Sequence, residues 1–310
     1  MDHPLLALAL LAAAFAVAHA EADEPAHAAY VFTSFRGNGE DGLHLAWSRD
    51  GYRWTDLKRV FLKPQVGKSK LLRDPCIVRG PDGTFHMVWT PGWWERGIGY
   101  ASSRDLVHWS HQRYLPVMAH EPKARNAWAP ELFYDQATSQ FLIFWASTIP
   151  GRFPATDGQG DHNHRIYCTT TRDFSTFSKT RLFFDPGFNV IDATILRAGE
   201  QHVMVLKDER KGKKTLRLAF SRRAEGPYER VTEPFTTDWV EGPSAIRIGG
   251  EWLVYFDHYA RPHYYGAVRS ADLESWTDVS KQMRFPPGHR HGTVLKVPRS
   301  ILDGLESRAE

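Results

Sequence analysis

Ser-Arg-Asp-Leu-Val-His-Trp-Ser, at Ser103–Ser110, is the clearest of five related phrases in this 310-residue chain. The other copies begin at Ser48, Thr171, Ser221 and Ser270, so that successive copies start about 50 to 70 residues apart. A hydroxyl residue that ends one strand, an Asp that bonds the following backbone and an aromatic that opens the next strand are typical of a hairpin turn. In strand-rich sequence, a long repeat of this kind predicts a β-propeller.

Short runs of β-branched and aromatic residues lie between the copies and are bounded by Gly, Pro and Asp, which is typical of strands. Each later copy is also preceded by an apolar segment that opens its unit, and these segments begin at Arg73, Ala127, Ile191 and Glu241. The first strand of each propeller blade lines the central channel. We therefore place these four segments around the channel.

The copy at Ser48 has no opening segment before it, and the missing segment stands at the other end of the chain, at Arg290–Val297. We expect this C-terminal strand to become the innermost strand of the N-terminal blade, because such closure removes a free sheet edge. The sequence thus predicts an all-β, five-bladed propeller that forms one domain over residues 21–301. It shows no convincing amphipathic helix, and we expect the tail at residues 302–310 to fray.

The N-terminal residues 1–20 are apolar from Leu5 to Val17 and end in Ala18-His19-Ala20. This pattern predicts a secretory signal peptide that is cleaved after Ala20. The apolar run is too short for a membrane span. We therefore expect a periplasmic or secreted protein without a membrane span, and we expect a monomer.

The 39 Lys and Arg residues are dispersed, and the formal net charge is +3. The densest basic run, Lys207–Lys214, is interpreted as a solvated hairpin tip, so we expect no nucleic-acid partner. Cys76 and Cys168 fall in different blades, and we expect no disulfide even in an oxidising compartment.

Acidic residues stand near the start of three opening segments, at Asp74, Asp192 and Glu241. Any one of them alone is most simply a turn cap, but three at one phase of three blades predict a shared site at the channel mouth. Two carboxylates that face each other across a sugar perform glycoside hydrolysis, and a third acid nearby raises the pKa of the proton donor. Glu131 lies out of phase and is interpreted as either a structural residue or a substrate hydrogen-bonder.

Five motifs in order resemble those of glycoside hydrolase family 43, and the resemblance extends from Tyr30 to Val297. They are Arg73–Ile77, Trp128–Leu132, Asp192–Leu196, Glu241–Ser244 and His291–Val294. The resemblance implies a five-bladed propeller that cleaves glycosidic bonds in a carbohydrate substrate with inversion. It also implies that Asp74 is the general base, that Asp192 tunes and orients the acid, and that Glu241 is the general acid.

The resemblance implies that Trp128 is a wall or stacking platform and that His291 lies near the channel axis, where relatives often hold calcium or another ion. No cofactor is expected to be required for the chemistry. From their positions in loops and beside the acids, Trp93, Arg73 and Arg290 are further candidate substrate contacts. Arabinofuranose, xylose and galactose are all compatible sugars, with either exo or endo cleavage.

Two alternatives stay open at this point. The phrase that starts at Ser48 resembles an Asp-box, which suits a sialidase-like propeller with six blades, an Arg triad and a Tyr nucleophile. The other alternative is a non-catalytic carbohydrate-binding propeller in which the acids bind sugar hydroxyls. Glu225-Gly226-Pro227 repeats the tripeptide of Glu241, but it lies inside a turn phrase and is interpreted as structural.

Overall fold

The computed structural model describes residues 29–307 of the chain, so the predicted signal peptide lies outside the described residues. The described strands form five sheets, which we number as blades 1 to 5. The strands are β1 (Ala29–Ser34), β2 (Leu43–Ser48), β3 (Thr55–Leu62), β4 (Arg73–Arg79), β5 (Phe85–Thr90), β6 (Ile98–Ser103), β7 (Arg113–Leu115), β8 (Trp128–Asp135), β9 (Gln140–Ser147), β10 (Arg165–Thr171), β11 (Arg181–Phe184), β12 (Val190–Ala198), β13 (Gln201–Asp208), β14 (Thr215–Ser221), β15 (Val240–Ile248), β16 (Glu251–His258), β17 (Tyr264–Ser270), β18 (Thr277–Asp278) and β19 (Val294–Val297).

Blades 2 to 5 follow the chain from the inside outwards, with β4–β7, β8–β11, β12–β14 and β15–β18 in turn. Blade 1 combines β1–β3 with β19, which pairs antiparallel with β1 and places Ala29 opposite Val297. This pairing confirms the predicted closure by the C-terminal strand. Five sheets also contradict the six-bladed architecture that a sialidase-like propeller requires.

The repeated phrase forms the hairpin turn that its sequence predicts. In blade 2 the Ser103 hydroxyl accepts the N–H of Leu106 at 2.8 Å, and Asp105 Oδ1 accepts the N–H of Val107 at 2.9 Å. Leu106 has a φ of +62° and is fully buried, so the turn also contributes a side chain to the hydrophobic core. The same bonds recur at the other copies that carry the aspartate, at Asp50, Asp173 and Asp272.

A C-terminal helix replaces the expected frayed tail. Helix α1 spans Arg299–Glu306, and its Leu302 and Leu305 are completely buried in the core of blades 1 and 2. The expectation that the tail frays was wrong for residues 302–306, because two leucines three residues apart give even a two-turn helix an apolar side to bury. Two short 3₁₀ turns, Pro154–Thr156 and Ser280–Gln282, complete the regular structure of the described residues.

Both cysteines are buried and unpaired, as the sequence predicts. Cys76 lies on β4 and Cys168 on β10, each among apolar side chains of its own blade region. No helix within residues 29–307 is long and apolar enough to cross a membrane.

Candidate active site

A bulge near the start of each inner strand of blades 2 to 5 sets the positions of the acids. The ladder of blade 2 shifts between Arg73 and Cys76, and corresponding shifts occur in β8, β12 and β15. One residue in each bulge has a positive φ, and these residues are Asp74 (+51°), Ala129 (+44°), Asp192 (+48°) and Gly242 (+56°). A bulge bends its strand and redirects side chains, which is why such irregularities are frequent near active sites.

The bulges correct one feature of the predicted site. Asp74 and Asp192 occupy the same bulge position, but Glu241 comes one residue before that position and Glu131 two residues after it. The three predicted catalytic acids are therefore not at a single phase. Glu241 nevertheless lies beside the other two, because its blade places Gly242 at the bulge and turns the preceding side chain to the mouth.

Asp74 is held by one hydrogen bond and one ion pair. Thr90, opposite Arg73 on β5, donates from its hydroxyl to Asp74 Oδ2 at 2.8 Å, and the Thr90 hydroxyl in turn accepts the N–H of Ala129 at 2.9 Å. His291 Nδ1 lies 3.3 Å from Asp74 Oδ1. Both carboxylate oxygens are thus fixed, and only 11% of the side chain is exposed.

His291 lies at the centre of the acids. Its Nδ1 is 4.0 Å from Asp192 Oδ2 as well as 3.3 Å from Asp74. Burial disfavours the imidazolium, but Asp74, Asp192, Glu241 and Glu131 outweigh burial and raise the pKa of His291. The ring also packs on Gly242, where a Cβ atom would come within 2.3 Å of His291 Cγ, so this position requires glycine.

The side chains around His291 do not by themselves form a metal-binding group, and the ion at His291 stays a prediction. The imidazole Nδ1 faces the Asp74 carboxylate as an ion-pair partner rather than a free ligand position. Within residues 29–307, no group of three or more His, Cys, Asp or Glu side chains is arranged to hold a metal ion. The positive charge among the acids comes from the protein itself, from His291, Lys207 and Arg290.

Asp192 joins the acids of neighbouring blades. Its Oδ2 accepts the N–H of Gly242 at 3.1 Å, and this bond anchors the backbone that carries Glu241. Burial raises the pKa of Asp192 to about 6, although His291 and Lys207 act in the opposite direction. Asp192 therefore fixes the backbone next to Glu241, while its role in tuning the acid stays a prediction.

Each carboxylate oxygen of Glu241 is bound by one cation. Lys207 Nζ donates to Glu241 Oε2 at 3.0 Å, and Arg290 Nη2 donates to Oε1 at 3.1 Å. The Glu241 side chain is 22% exposed, against 11% for Asp74 and 7% for Asp192. Of the three acids, Glu241 is therefore the one that a ligand in the mouth reaches most easily.

Lys207 corrects the interpretation of the basic run as a solvated hairpin tip. It lies on β13, is 2% exposed and also forms an ion pair with Glu209 at 2.9 Å. Lys211 and Lys213 do lie at the exposed tip. The continuous apolar run of β13 carried the missing signal, because Lys207 directly follows Val203–Leu206 in a strand that is buried on both faces.

A chain of charged contacts, from His263 through Asp257, holds Arg290 in place. Asp257, directly opposite Glu241 on β16, accepts from Arg290 Nε at 2.6 Å and from His263 Nε2 at 2.6 Å. Burial alone would raise the pKa of Asp257, but His263 and Arg290 hold it below its usual range. The sequence prediction included Arg290 as a substrate contact and missed Asp257, its buried partner.

Glu131 lies in the channel wall and is as buried as Asp192. It is 7% exposed, and its Oε2 accepts from the Thr194 hydroxyl at 2.9 Å. Burial raises the pKa of Glu131 to about 7, against the opposing influence of Thr194 and His291. These contacts are those of a structural residue that holds its proton up to about pH 7, while its role as a substrate contact stays a prediction.

The raised pKa of Glu131 predicts a pH-dependent stability. The folded protein retains this proton up to about pH 7, while the unfolded chain loses it near pH 4.5. The contribution of the Glu131 carboxyl to the free energy of unfolding is therefore present below pH 4.5 and is lost as the pH rises to 7. This loss amounts to about 3 kcal/mol. Relative to the wild type, Glu131→Gln should therefore gain about that much free energy of unfolding between pH 4.5 and about pH 8 in urea titrations. If wild type and variant differed in free energy of unfolding by the same amount at both pH values, this prediction would be wrong.

An aromatic cluster, comprising Trp93, Trp94, Trp128 and His162, lines the mouth between blades 2 and 3. The Trp128 ring is 5.5 Å from Trp93 and 5.6 Å from Trp94, measured between centroids. His162 packs against both Trp94 and Trp128, so the β5–β6 loop meets the β9–β10 loop here. The guanidinium of Arg73, next to Asp74, lies 4.2 Å from the Trp93 ring. The predicted contacts Arg73, Trp93 and Trp128 thus form one group.

A cavity of about 800 Å³ lies beside the acid cluster, between β17 and the segment that leads to His289. Its walls include His263 and His289, which flank the Asp257–Arg290 ion pair, together with Tyr265 and Phe285. Asp278 is the one carboxylate in this lining, whereas hydrolysis of a glycoside needs two. The chemistry is therefore assigned to the acid cluster around His291 and not to this cavity.

Comparisons with known proteins agree with this architecture. A model for family-43-related glycosyl hydrolases, described as a probable glycosyl hydrolase domain, matches residues 25–303. An alpha-L-arabinofuranosidase from Bifidobacterium longum is 24% identical in an alignment that covers 76% of this chain. The match spans only 30% of the length of that relative.

Solved structures share the fold at low sequence identity. An alpha-L-arabinofuranosidase from Lactobacillus brevis superposes with a TM-score of 0.54 at 20% identity, covering 67% of this chain and 72% of the other. An exo-beta-1,3-galactanase from Phanerochaete chrysosporium also gives a TM-score of 0.54 at 14% identity, covering 74% of this chain and 53% of the other. At these identities the likeness extends to the propeller fold alone.

Proposed function

The chain belongs to the family-43-related glycosyl hydrolases, and on that basis we propose that it hydrolyses glycosidic bonds with inversion at the anomeric carbon. Asp74 acts as the general base and Glu241 as the general acid. The observation that carries the proposal is the junction of Asp74, Asp192 and Glu241, from three blades, around the buried imidazole of His291.

In the proposed reaction, Asp74 removes a proton from a water molecule as the water oxygen attacks the anomeric carbon. Thr90 and His291 fix both Asp74 oxygens, so the base meets the water in one orientation. The bond to the leaving oxygen breaks as Glu241 donates its proton to that oxygen. Exchange with solvent then returns Asp74 to the ionised form and Glu241 to the protonated form.

The contacts of Lys207 and Arg290 belong to the ionised form of Glu241, the form that remains after its proton has been transferred. As Glu241 gives up its proton, negative charge develops on its two oxygens, and each oxygen already has a cation at hydrogen-bond distance. Preoriented charges of this kind stabilise a developing charge without reorganisation. Asp192 contributes by holding the backbone next to Glu241 in place.

We propose a terminal sugar as the glycon, with arabinofuranosides as the first class to test. The curated relative is an alpha-L-arabinofuranosidase, which supports that choice. Contact between Trp94 and His162 closes the mouth between blades 2 and 3, and a closed side supports exo rather than endo cleavage. Xylosides and galactosides stay in the test because the relatives of this fold include a xylan beta-1,4-xylosidase and a galactanase.

A substrate panel with product analysis tests the proposal. Purified protein is incubated with aryl and natural arabinofuranosides, xylosides and galactosides, and the products are separated by anion-exchange chromatography. We expect release of a monosaccharide from one of these classes. Glycan binding without cleavage across the whole panel would instead support the non-catalytic carbohydrate-binding propeller.

We also propose that the protein is exported to the periplasm or secreted after cleavage behind Ala20, and that it acts as a monomer. The apolar N-terminal run and its small-residue junction support export. Mass spectrometry of the mature protein should give a chain that begins at Glu21, and light scattering should give the mass of one chain.

A further inference from the structure

Trp239 is an exposed aromatic residue next to the proposed general acid. It ends the connection from blade 4 to blade 5, two residues before Glu241, and 47% of its surface is exposed. Its φ of +59° lies in the left-handed region, which is sterically unfavourable for a bulky side chain. Backbone strain of this kind is found preferentially at sites where ligands bind.

Contacts link the Trp239 ring to Glu241 through two intermediate residues. The indole packs edge-on against Tyr259 with ring centroids 5.6 Å apart, and the Tyr259 N–H donates to the Trp239 carbonyl at 3.1 Å. The Tyr259 ring lies 4.6 Å from Lys207 Nζ, the group that donates to Glu241. Trp239 and Tyr259 therefore form an aromatic surface on the acid side of the mouth.

The opposite side of the mouth is built differently. There Arg73 stacks on Trp93 beside the base Asp74, and contact between Trp94 and His162 closes that side. In an inverting hydrolysis the water attacks from the side of the base, while the leaving group departs on the side of the acid. The face that Trp239 exposes is consequently the one that a leaving group meets.

We infer that Trp239 forms a leaving-group subsite and stacks on the apolar face of a sugar ring, so that the substrate is an oligosaccharide or polysaccharide rather than a glycoside of a small alcohol. This inference rests on the proposed hydrolase function. An indole suits such a partner because its flat apolar surface covers the C–H face of a pyranose while the hydroxyls stay in water. Binding energy from this remote ring assists the bond-breaking step at the acid.

Two substrates with one glycon and different leaving groups test the subsite. The first is an oligosaccharide that the wild type cleaves, and the second is the glycosyl fluoride of the same sugar, which has no ring to stack. For Trp239→Ala we expect kcat/KM to fall about 10- to 100-fold on the oligosaccharide and to change less than about twofold on the fluoride. Trp239→Phe should retain most of the oligosaccharide activity, and Phe177→Ala, in an exposed turn of blade 3, should change neither value.

Thermal unfolding separates this role from a structural one. Glycine adopts a φ of +59° without strain, so the midpoint of Trp239→Gly should not fall although the contact with Tyr259 is lost. A clear fall of that midpoint, or an equal effect of Trp239→Ala on the two substrates, would overturn the subsite. A wild-type protein that cleaves no oligosaccharide and no glycosyl fluoride across the substrate panel would instead overturn the proposed function, and the subsite with it.

Discussion

Asp74→Asn should abolish turnover on every substrate, with kcat lowered about 10³- to 10⁴-fold whatever the leaving group. The amide cannot take the proton of the attacking water, and no change of leaving group compensates for that loss. The amide also offers one oxygen where the wild type has two acceptors, so it cannot satisfy both Thr90 and His291. Initial rates on an oligosaccharide and on a glycosyl fluoride measure the effect.

Asp82→Asn is the matched control for the base. Asp82 lies in the exposed turn between β4 and β5 of the same blade, with 58% of its side chain accessible. We expect its substitution to leave both rates within about twofold of the wild type. Asp74→Asn protein that is folded and retains more than about a tenth of the wild-type rate would remove Asp74 from the role of base.

Glu241→Gln should lower kcat on sugar leaving groups about 10²- to 10⁴-fold, with a much smaller effect on the glycosyl fluoride. A sugar alkoxide needs a proton in order to leave, whereas fluoride departs with little assistance. Substrate binding should change little, because the glutamine side chain keeps the size of glutamate and Arg290 remains bound to Asp257. Steady-state rates on the two substrates, with affinity from calorimetry, give the comparison.

Glu225→Gln is the matched control for the acid, because Glu225-Gly226-Pro227 repeats the Glu-Gly-Pro tripeptide of Glu241. Glu225 lies in a turn of blade 4 and pairs with Arg181 at 3.4 Å. Its substitution should leave hydrolysis unchanged. Equal losses on the sugar and fluoride leaving groups in Glu241→Gln would show that Glu241 is not the proton donor.

The fold could be predicted from the sequence because the residues that form its turns are neighbours in the chain. A hydroxyl residue, an aspartate and their backbone bonds lie within four residues of each other, so Ser103 and Asp105 signal a hairpin without tertiary information. Counting the copies then gave the number of blades. Blade 4, where Arg223 stands at the aspartate position, departs from the pattern and has three strands in the described chain.

The acids were also found, but their exact geometry was not. The bulges that separate Glu241 from the position shared by Asp74 and Asp192 depend on pairing with the neighbouring strand, which the spacing of motifs does not encode. Long-range partners were missed for the same reason. Lys207 reaches Glu241 from another blade, and a local basic run made it resemble a solvated loop residue.

The C-terminal helix shows the same limit of local patterns. Eight residues are too few for a clear helical period, and α1 is stabilised by burying Leu302 and Leu305 against blades that lie far away in sequence. Its formation is a tertiary effect that composition alone does not reveal.

The anomeric configuration of the first product decides whether Asp74 and Glu241 act as a base and an acid across a water molecule. Proton NMR, recorded during turnover and before mutarotation, distinguishes the two anomers of the released sugar. An inverting pair of carboxyls gives first the anomer opposite to that of the substrate. Release of the same anomer as the substrate would require a glycosyl-enzyme intermediate and would contradict the mechanism proposed for this protein.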